Sequence, residues 1–280
     1  MKSLLSLILA VMLALTTIVA PIQAADANEV KNHDHKEAEA KPEAKTEEKK
    51  DDKKVGLFEQ YNPDVKAATS AASAEVFKDR VLTLKQKEMI ALAIAVAVKC
   101  DGCISFHAKQ AVKAGCNMEE LSEMVGVNIM MGGGPASSFG SKALTIAKEA
   151  GAREAEAKKE LKPVTPVKPI DKKDEDKSLL EKYFPEYAAK QPKISEAVMR
   201  EGYLTVKEKE LISLAIAVAV RCDACIKYHS GAAVKAGCTM EELAEMAAVC
   251  IVMGGGPSSA SSRTALELCQ KAIDESKPAK

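Results

Sequence analysis

Two 23-residue stretches, KCDGCISFHAKQAVKAGCNMEEL from Lys99 and RCDACIKYHSGAAVKAGCTMEEL from Arg221, align without a gap. Cys100, Cys103, His107 and Cys116 correspond to Cys222, Cys225, His229 and Cys238, every pair offset by 122 positions. Self-similarity of this kind marks a duplicated unit. Each unit has about 100 residues, enough for a modest core but at the small end of independent stability. The two copies are therefore expected to pack together.

The rest of the chain reads as segments around these units. Lys2 precedes an apolar run from Leu4 to Ala20, and Pro21-Ile22-Gln23-Ala24 ends it on a small residue. Residues 1–24 are read as a secretory signal peptide, which sends the chain to the periplasm or outside the cell; retention of the same segment as a membrane anchor is the alternative. Residues 25–54 hold few large apolar side chains and are read as a disordered charged tether, in which His33 and His35 are solvated rather than metal ligands. Residues 153–177, with Pro163, Pro166 and Pro169, form a spacer. The first unit then spans 55–152 and the second 178–276. Lysine plus arginine and aspartate plus glutamate each number 40, and their even mixing gives no nucleic-acid-binding surface.

Both units read as helical. Leu84–Val98 and Val206–Val220 follow Thr83 and Thr205, suitable N-caps, and are apolar on every face beyond their first turn. A helix apolar all round is a buried one, so each is expected at the centre of a bundle. A second helix opens at the Cys-x-x-Cys and stops at Gly115 or Gly237. Asn117 to Glu120 and Thr239 to Glu242 have capping-box spacing and start a third, expected to end at the Gly-Gly-Gly-Pro runs 132–135 and 254–257. The fold class is all-α.

The chemistry concentrates at the dithiols. On a helix, Cys100, Cys103 and His107 share a face, as do Cys222, Cys225 and His229. Unpaired amides and the dipole at the helix start favour a thiolate, Asp101 and Asp223 are expected to cap it, and the imidazole can take or hold the proton. Vicinal thiols can pass two electrons by closing and reopening a disulfide. The same spacing leaves open a structural bridge in an exported protein, and zinc ligation by two cysteines and a histidine. A bridge closing so short a loop adds little stability, and zinc lacks a fourth ligand, so redox chemistry is the favoured reading. Cys116, Cys238, Cys250 and Cys269, with Met124, Met130, Met131, Met246 and Met253, are read as packing residues.

The pattern Glu-x11-Cys-x-x-Cys-x3-His, read at Glu88, Cys100, Cys103 and His107 and again at Glu210, Cys222, Cys225 and His229, resembles the signature of the AhpD-like alkylhydroperoxidase branch of the carboxymuconolactone decarboxylase family. The resemblance covers about 60 residues in each unit and the spacing is specific. It implies two helical-bundle domains forming a pseudo-dimer, homo-oligomeric association such as a trimer of pseudo-dimers, and reduction of hydroperoxides by the dithiol. Cys103 and Cys225 match the attacking cysteine, Cys100 and Cys222 its resolving partner, and Glu88 with His107, or Glu210 with His229, the proton relay. No cofactor or metal is implied; the partners are a hydroperoxide and an unidentified thiol reductant, protein or small dithiol. Gly102 and Ala224 stand where the type member has a second histidine. The wider family's decarboxylase-type lyase chemistry and a non-enzymatic envelope scaffold or metal-binding module are the alternatives. Twelve residues of straight helix span about 18 Å, so Glu88 reaches the dithiol only if the chain bends or the acid comes from another element.

Overall fold

The computed structural model describes residues 57–156 and 177–276. The segments read above as a signal peptide (1–24) and a charged tether (25–54), and nearly all of the stretch read as a spacer (153–177), lie outside the described residues. Eleven helices make up the described part, with no strand among them. In the first repeat they are α1 (Leu57–Tyr61), α2 (Pro63–Val76), α3 (Leu84–Ala97), α4 (Asp101–Lys113) and α5 (Met118–Glu149). The second repeat has α6 (Leu179–Tyr183), α7 (Pro185–Ala188), α8 (Gln191–Met199), α9 (Val206–Ala219), α10 (Asp223–Lys235) and α11 (Met240–Ser276).

Local sequence explains where these helices begin and end. Thr83 accepts from the Gln86 amide while Gln86 Oε1 accepts from the Thr83 amide, and Thr205 with Glu208 repeats the arrangement, so α3 and α9 start on reciprocal capping boxes. The Asn117–Glu120 and Thr239–Glu242 boxes start α5 and α11 in the same way. At the end of α4, Gly115 takes φ 90°, its amide bonding the Val112 carbonyl and the next amide that of Ala111. This is a Schellman stop, which needs a left-handed residue.

The glycine-rich runs behave differently from the expectation that they end α5 and α11. Only Gly133 and Gly255 leave helical geometry, at φ 63°, ψ −143° and φ 62°, ψ −147°. That region is open essentially to glycine alone. The helix resumes at once, because Pro135 and Pro257 then fall in a fresh first turn, where a missing amide hydrogen costs nothing. Each long helix is thus two helices joined at a kink. Helix α11 is long and apolar enough by composition to cross a membrane, yet here it is broken at Gly255 and contributes Leu243, Met246, Val249, Cys250 and Cys269 to the core.

The core belongs to both repeats. Ten consecutive residues of α3, Lys87 to Val96, are buried, and so are Lys209 to Val218 of α9. The two helices pack against each other, and each also packs on the other repeat's long helix, α3 on α11 and α9 on α5. Where they meet, a cavity of about 10 Å³ is lined by Gln86, Met89 and Ile90 and by their counterparts Glu208, Leu211 and Ile212. A lining made of equivalent pairs places the pseudo-twofold axis there. The leading helices are exchanged as well: α2 lies on α11 and α8 on α5. One hydrophobic cluster accordingly runs through both repeats, and the described residues form a single compact unit.

Two buried lysines clasp the halves. Lys87, 1 % exposed, sits 2.7 Å from Glu245 of α11 and donates to the Lys78 carbonyl; Lys209, 2 % exposed, sits 2.8 Å from Glu123 of α5 and donates to the Arg200 carbonyl. Glu245 also accepts from the Val81 and Leu82 amides, and Glu123 from those of Tyr203 and Leu204. A buried charge is tolerable only when paired and hydrogen-bonded in this manner.

Two outcomes follow from a shared, clasped core. Leu92→Ala or Leu214→Ala should each cost about 2–5 kcal/mol, and urea unfolding followed by circular dichroism should show one transition for both repeats. Two resolved transitions would contradict the shared core. Burial alone would raise the Glu123 and Glu245 carboxyls, but the lysine and the two amides outweigh it and hold both below the usual carboxylate range. Carboxyls depressed in the folded state stabilise it above the unfolded-state value, about 4.3 for glutamate, and that contribution disappears as pH falls through the folded-state value. The thermal midpoint should therefore drop below about pH 4.3, and less steeply for the Glu123→Gln, Glu245→Gln variant; parallel curves would count against the clasps.

Candidate active site

Each dithiol stands where one helix stops and the next begins. Lys99 adopts φ 58°, its amide bonding the Val96 carbonyl, while the Cys100 amide bonds that of Ala95. Arg221, at φ 57°, and Cys222 repeat these bonds to Val218 and Ala217. This too is a Schellman stop, made without glycine, and left-handed backbone in a long side chain carries strain. The bend turns α4 back toward α3. It supplies the change of direction that the distance between Glu88 and Cys100 requires.

Cys100 and Cys222 are themselves the N-caps of α4 and α10: each sulfur accepts from the amide of the second cysteine, at 3.3 Å. Asp101 and Asp223, expected as caps, instead occupy the first helical turn, because the cysteine already fills the capping position. Asp101 reaches sideways to pair with Lys142 at an exposed site. Both dithiols are closed as disulfides, Cys100–Cys103 and Cys222–Cys225. In this state neither sulfur is available as a thiolate metal ligand.

The acid and imidazole of each repeat meet inside the core. Glu88 Oε2 lies 2.7 Å from His107 Nδ1, and Glu210 Oε2 lies 2.8 Å from His229 Nδ1, all four residues being buried. The carboxylate thus comes from the same repeat, across the bend. A carboxylate on Nδ1 fixes the ring orientation and leaves Nε2 for exchange with a second group. His107 and His229 follow Cys103 and Cys225 by one helical turn, the spacing at which side chains on a helix are neighbours. His107 also stacks on Phe77 at 5.8 Å and meets Phe106 edge-on; His229 meets Tyr228 edge-on, and the sequence counterpart of Phe77 in the second repeat is Met199.

The structure thus places Cys100, Cys103, His107 and Glu88, and likewise Cys222, Cys225, His229 and Glu210, around one helical bend in each repeat. An added Cβ at Gly102 would meet nothing within 4 Å, so space does not explain why a histidine is missing there. The remaining cysteines, Cys116, Cys238, Cys250 and Cys269, are buried. Burial pushes the thiols of Cys116, Cys238 and Cys250 up to about 12, and raises that of Cys269.

The model of the carboxymuconolactone decarboxylase family matches residues 63–149 and again 185–268, spanning more than half of the sequence. This chain belongs to the carboxymuconolactone decarboxylase family. Similar curated proteins include an uncharacterized protein of Cupriavidus necator, 38 % identical over 32 % of this chain and 79 % of its own, and an uncharacterized protein of the cox locus of Paracoccus denitrificans, 35 % identical over 28 % and 71 %. Among solved structures, the apo form of a family member from Legionella pneumophila shares 39 % identity over 33 % of this chain and 83 % of that one, with a TM-score of 0.32. The tandem arrangement places two family domains in one chain.

Sequence reasoning did not find the left-handed Lys99 and Arg221, the aromatic contacts of Phe77, Phe106 and Tyr228, or the clasp residues Lys87, Glu123, Lys209 and Glu245. For the lysines a signal was present: a charge in the same register at the head of two otherwise apolar helices. For Lys99 and Arg221 there was none, since no glycine marks the bend.

Native protein reduced with dithiothreitol and treated with iodoacetamide at neutral pH should take label at Cys100, Cys103, Cys222 and Cys225 only, the other cysteines reacting after denaturation. Peptide mapping by mass spectrometry reads this directly. Native labelling of Cys116 or Cys250 would contradict their burial.

Proposed function

We propose that this protein is an AhpD-like thiol peroxidase in which each dithiol reduces hydroperoxides. The observation that carries the reading is the pairing of a cap-positioned dithiol with a buried, carboxylate-bound histidine one turn away, twice in the chain. In the reduced form, the imidazole accepts the Cys103 or Cys225 proton. The thiolate attacks the terminal peroxide oxygen; the O–O bond breaks, the sulfur becomes a sulfenic acid, and the leaving alkoxide takes a proton to depart as alcohol. Cys100 or Cys222 then attacks that sulfur, closing the disulfide and releasing water. Two thiols and one hydroperoxide give one disulfide, one alcohol and one water. The closed bridges are the oxidised end of this cycle, and a dithiol reductant supplies the two electrons and two protons that reopen them.

Family membership alone admits decarboxylation or lactone chemistry as well, but such reactions make no use of vicinal thiols. We place the activity outside the cytoplasm, on the strength of Lys2, the apolar run from Leu4 to Ala20 and the small residue Ala24. Since cytoplasmic lipoyl-type reductants do not operate there, an extracytoplasmic dithiol is the expected electron donor.

Protein lacking residues 1–24 should consume alkyl hydroperoxide in the presence of dithiothreitol, and Cys103→Ser with Cys225→Ser should abolish that consumption. Equal rates for parent and variant would overturn the assignment. Glu88→Gln with Glu210→Gln should slow it by about 100-fold and shift its pH profile, the scale expected when a proton-transfer pair is lost. Full activity with an unchanged profile would remove the relay.

A further inference from the structure

We propose that the two dithiols are cross-wired: Glu245, on the second repeat, positions the first site, and Glu123, on the first repeat, positions the second. The starting observation is that neither buried lysine finds its carboxylate within its own repeat. Glu245 holds three groups of the first repeat at once, the Lys87 ammonium and the Val81 and Leu82 amides. Those groups bracket the parts that touch His107. Lys87 directly precedes Glu88, whose carboxylate binds Nδ1 of that ring. The segment leading into Val81 starts at Phe77, whose ring stacks on the same imidazole, and its Lys78 carbonyl is the second acceptor for Lys87. Asp79 completes the arrangement by accepting from the Leu84 amide at the head of α3.

The second repeat reproduces the device with the roles exchanged. Glu123 holds Lys209 and the Tyr203 and Leu204 amides, Lys209 also donates to the Arg200 carbonyl, and Glu210, next in sequence, binds His229. An imidazole stays where it can take a thiol proton only if its carboxylate and the head of the helix carrying that carboxylate stay fixed. In both cases the fixing group comes from the opposite half of the chain. Both glutamates act through other residues, as positioning residues, and touch no reacting atom.

This proposal rests on the dithiol chemistry proposed above, but its readout needs no peroxide. Fully reduced full-length protein is pulsed with iodoacetamide across a pH series, and alkylation of Cys103 and Cys225 is quantified separately by mass spectrometry. In Glu245→Gln the midpoint for Cys103 should rise by about 0.5 pH unit, roughly a threefold loss of reactivity at fixed pH, with a smaller change at Cys225. In Glu123→Gln the larger change should fall on Cys225. The charged groups near the first dithiol, Glu88, Lys99, Asp101 and its partner Lys142, are untouched by the first change, as are Glu210, Arg221 and Asp223 by the second.

Glutamine leaves a buried ammonium without its counter-charge, so folding is checked by circular dichroism. Lys87→Met with Glu245→Met removes both charges together, and should give the same preference for Cys103 in a folded protein. Unchanged midpoints in the folded variants, equal shifts at both cysteines, or a larger shift within the mutated residue's own repeat would overturn the cross-wiring. A selective shift in a protein that consumes no hydroperoxide would retain the cross-wiring and reject the peroxidase.

Discussion

Neither central helix can be buried by its own repeat, and that constraint organises the molecule. Helices α3 and α9 are apolar on every side past their first turn, with ten consecutive buried residues each. A repeat of about 100 residues cannot cover such a helix all round. Each helix is covered instead by its counterpart and by the opposite long helix, and the two repeats interlock around one cluster. Duplication within one chain guarantees the partner: a folded copy always has its other half at hand.

Burial of the same helices sets up the chemistry. The apolar surroundings that stabilise α3 also enclose Glu88, and a buried carboxylate needs a partner. His107 supplies it from the neighbouring helix, reached across a bend that forces left-handed backbone on Lys99. The bend also places Cys100 at a helix start, where its sulfur meets a backbone amide. Strain at one residue thus gives the reversal of direction, the capped cysteine and the acid–imidazole contact together. The second repeat obtains all three in the same way through Arg221.

Much of this was legible in the residues because it is local. Thr83, Asn117, Thr205 and Thr239 act as caps through contacts within four positions, and the all-apolar stretches that follow Thr83 and Thr205 are those of central helices. The dithiol and histidine were readable from spacing and the glutamate from the resemblance to the family signature, although their contact was not, since it depends on how sharply the chain turns after Val98. Two local readings yielded to geometry. Asp101 is displaced from the cap by the cysteine before it, and the Gly-Gly-Gly-Pro runs interrupt the long helices without ending them, because one glycine absorbs the break and proline suits the turn that follows. The clasps were not legible: Lys87 and Glu245 lie 158 residues apart, and nothing in either segment names the other.

The central claim is that each pair of neighbouring sulfurs opens and closes as a unit. The most direct measurement starts from fully reduced protein, adds hydroperoxide in steps below two equivalents per chain, quenches with acid and alkylating agent, and quantifies each bridge and the alcohol formed. The account predicts one alcohol per disulfide closed, bridges confined to Cys100–Cys103 and Cys222–Cys225, and full recovery of thiols with dithiothreitol. Hydroperoxide added without a matching closure of these bridges, or bridges that stay shut under reductant, would contradict it.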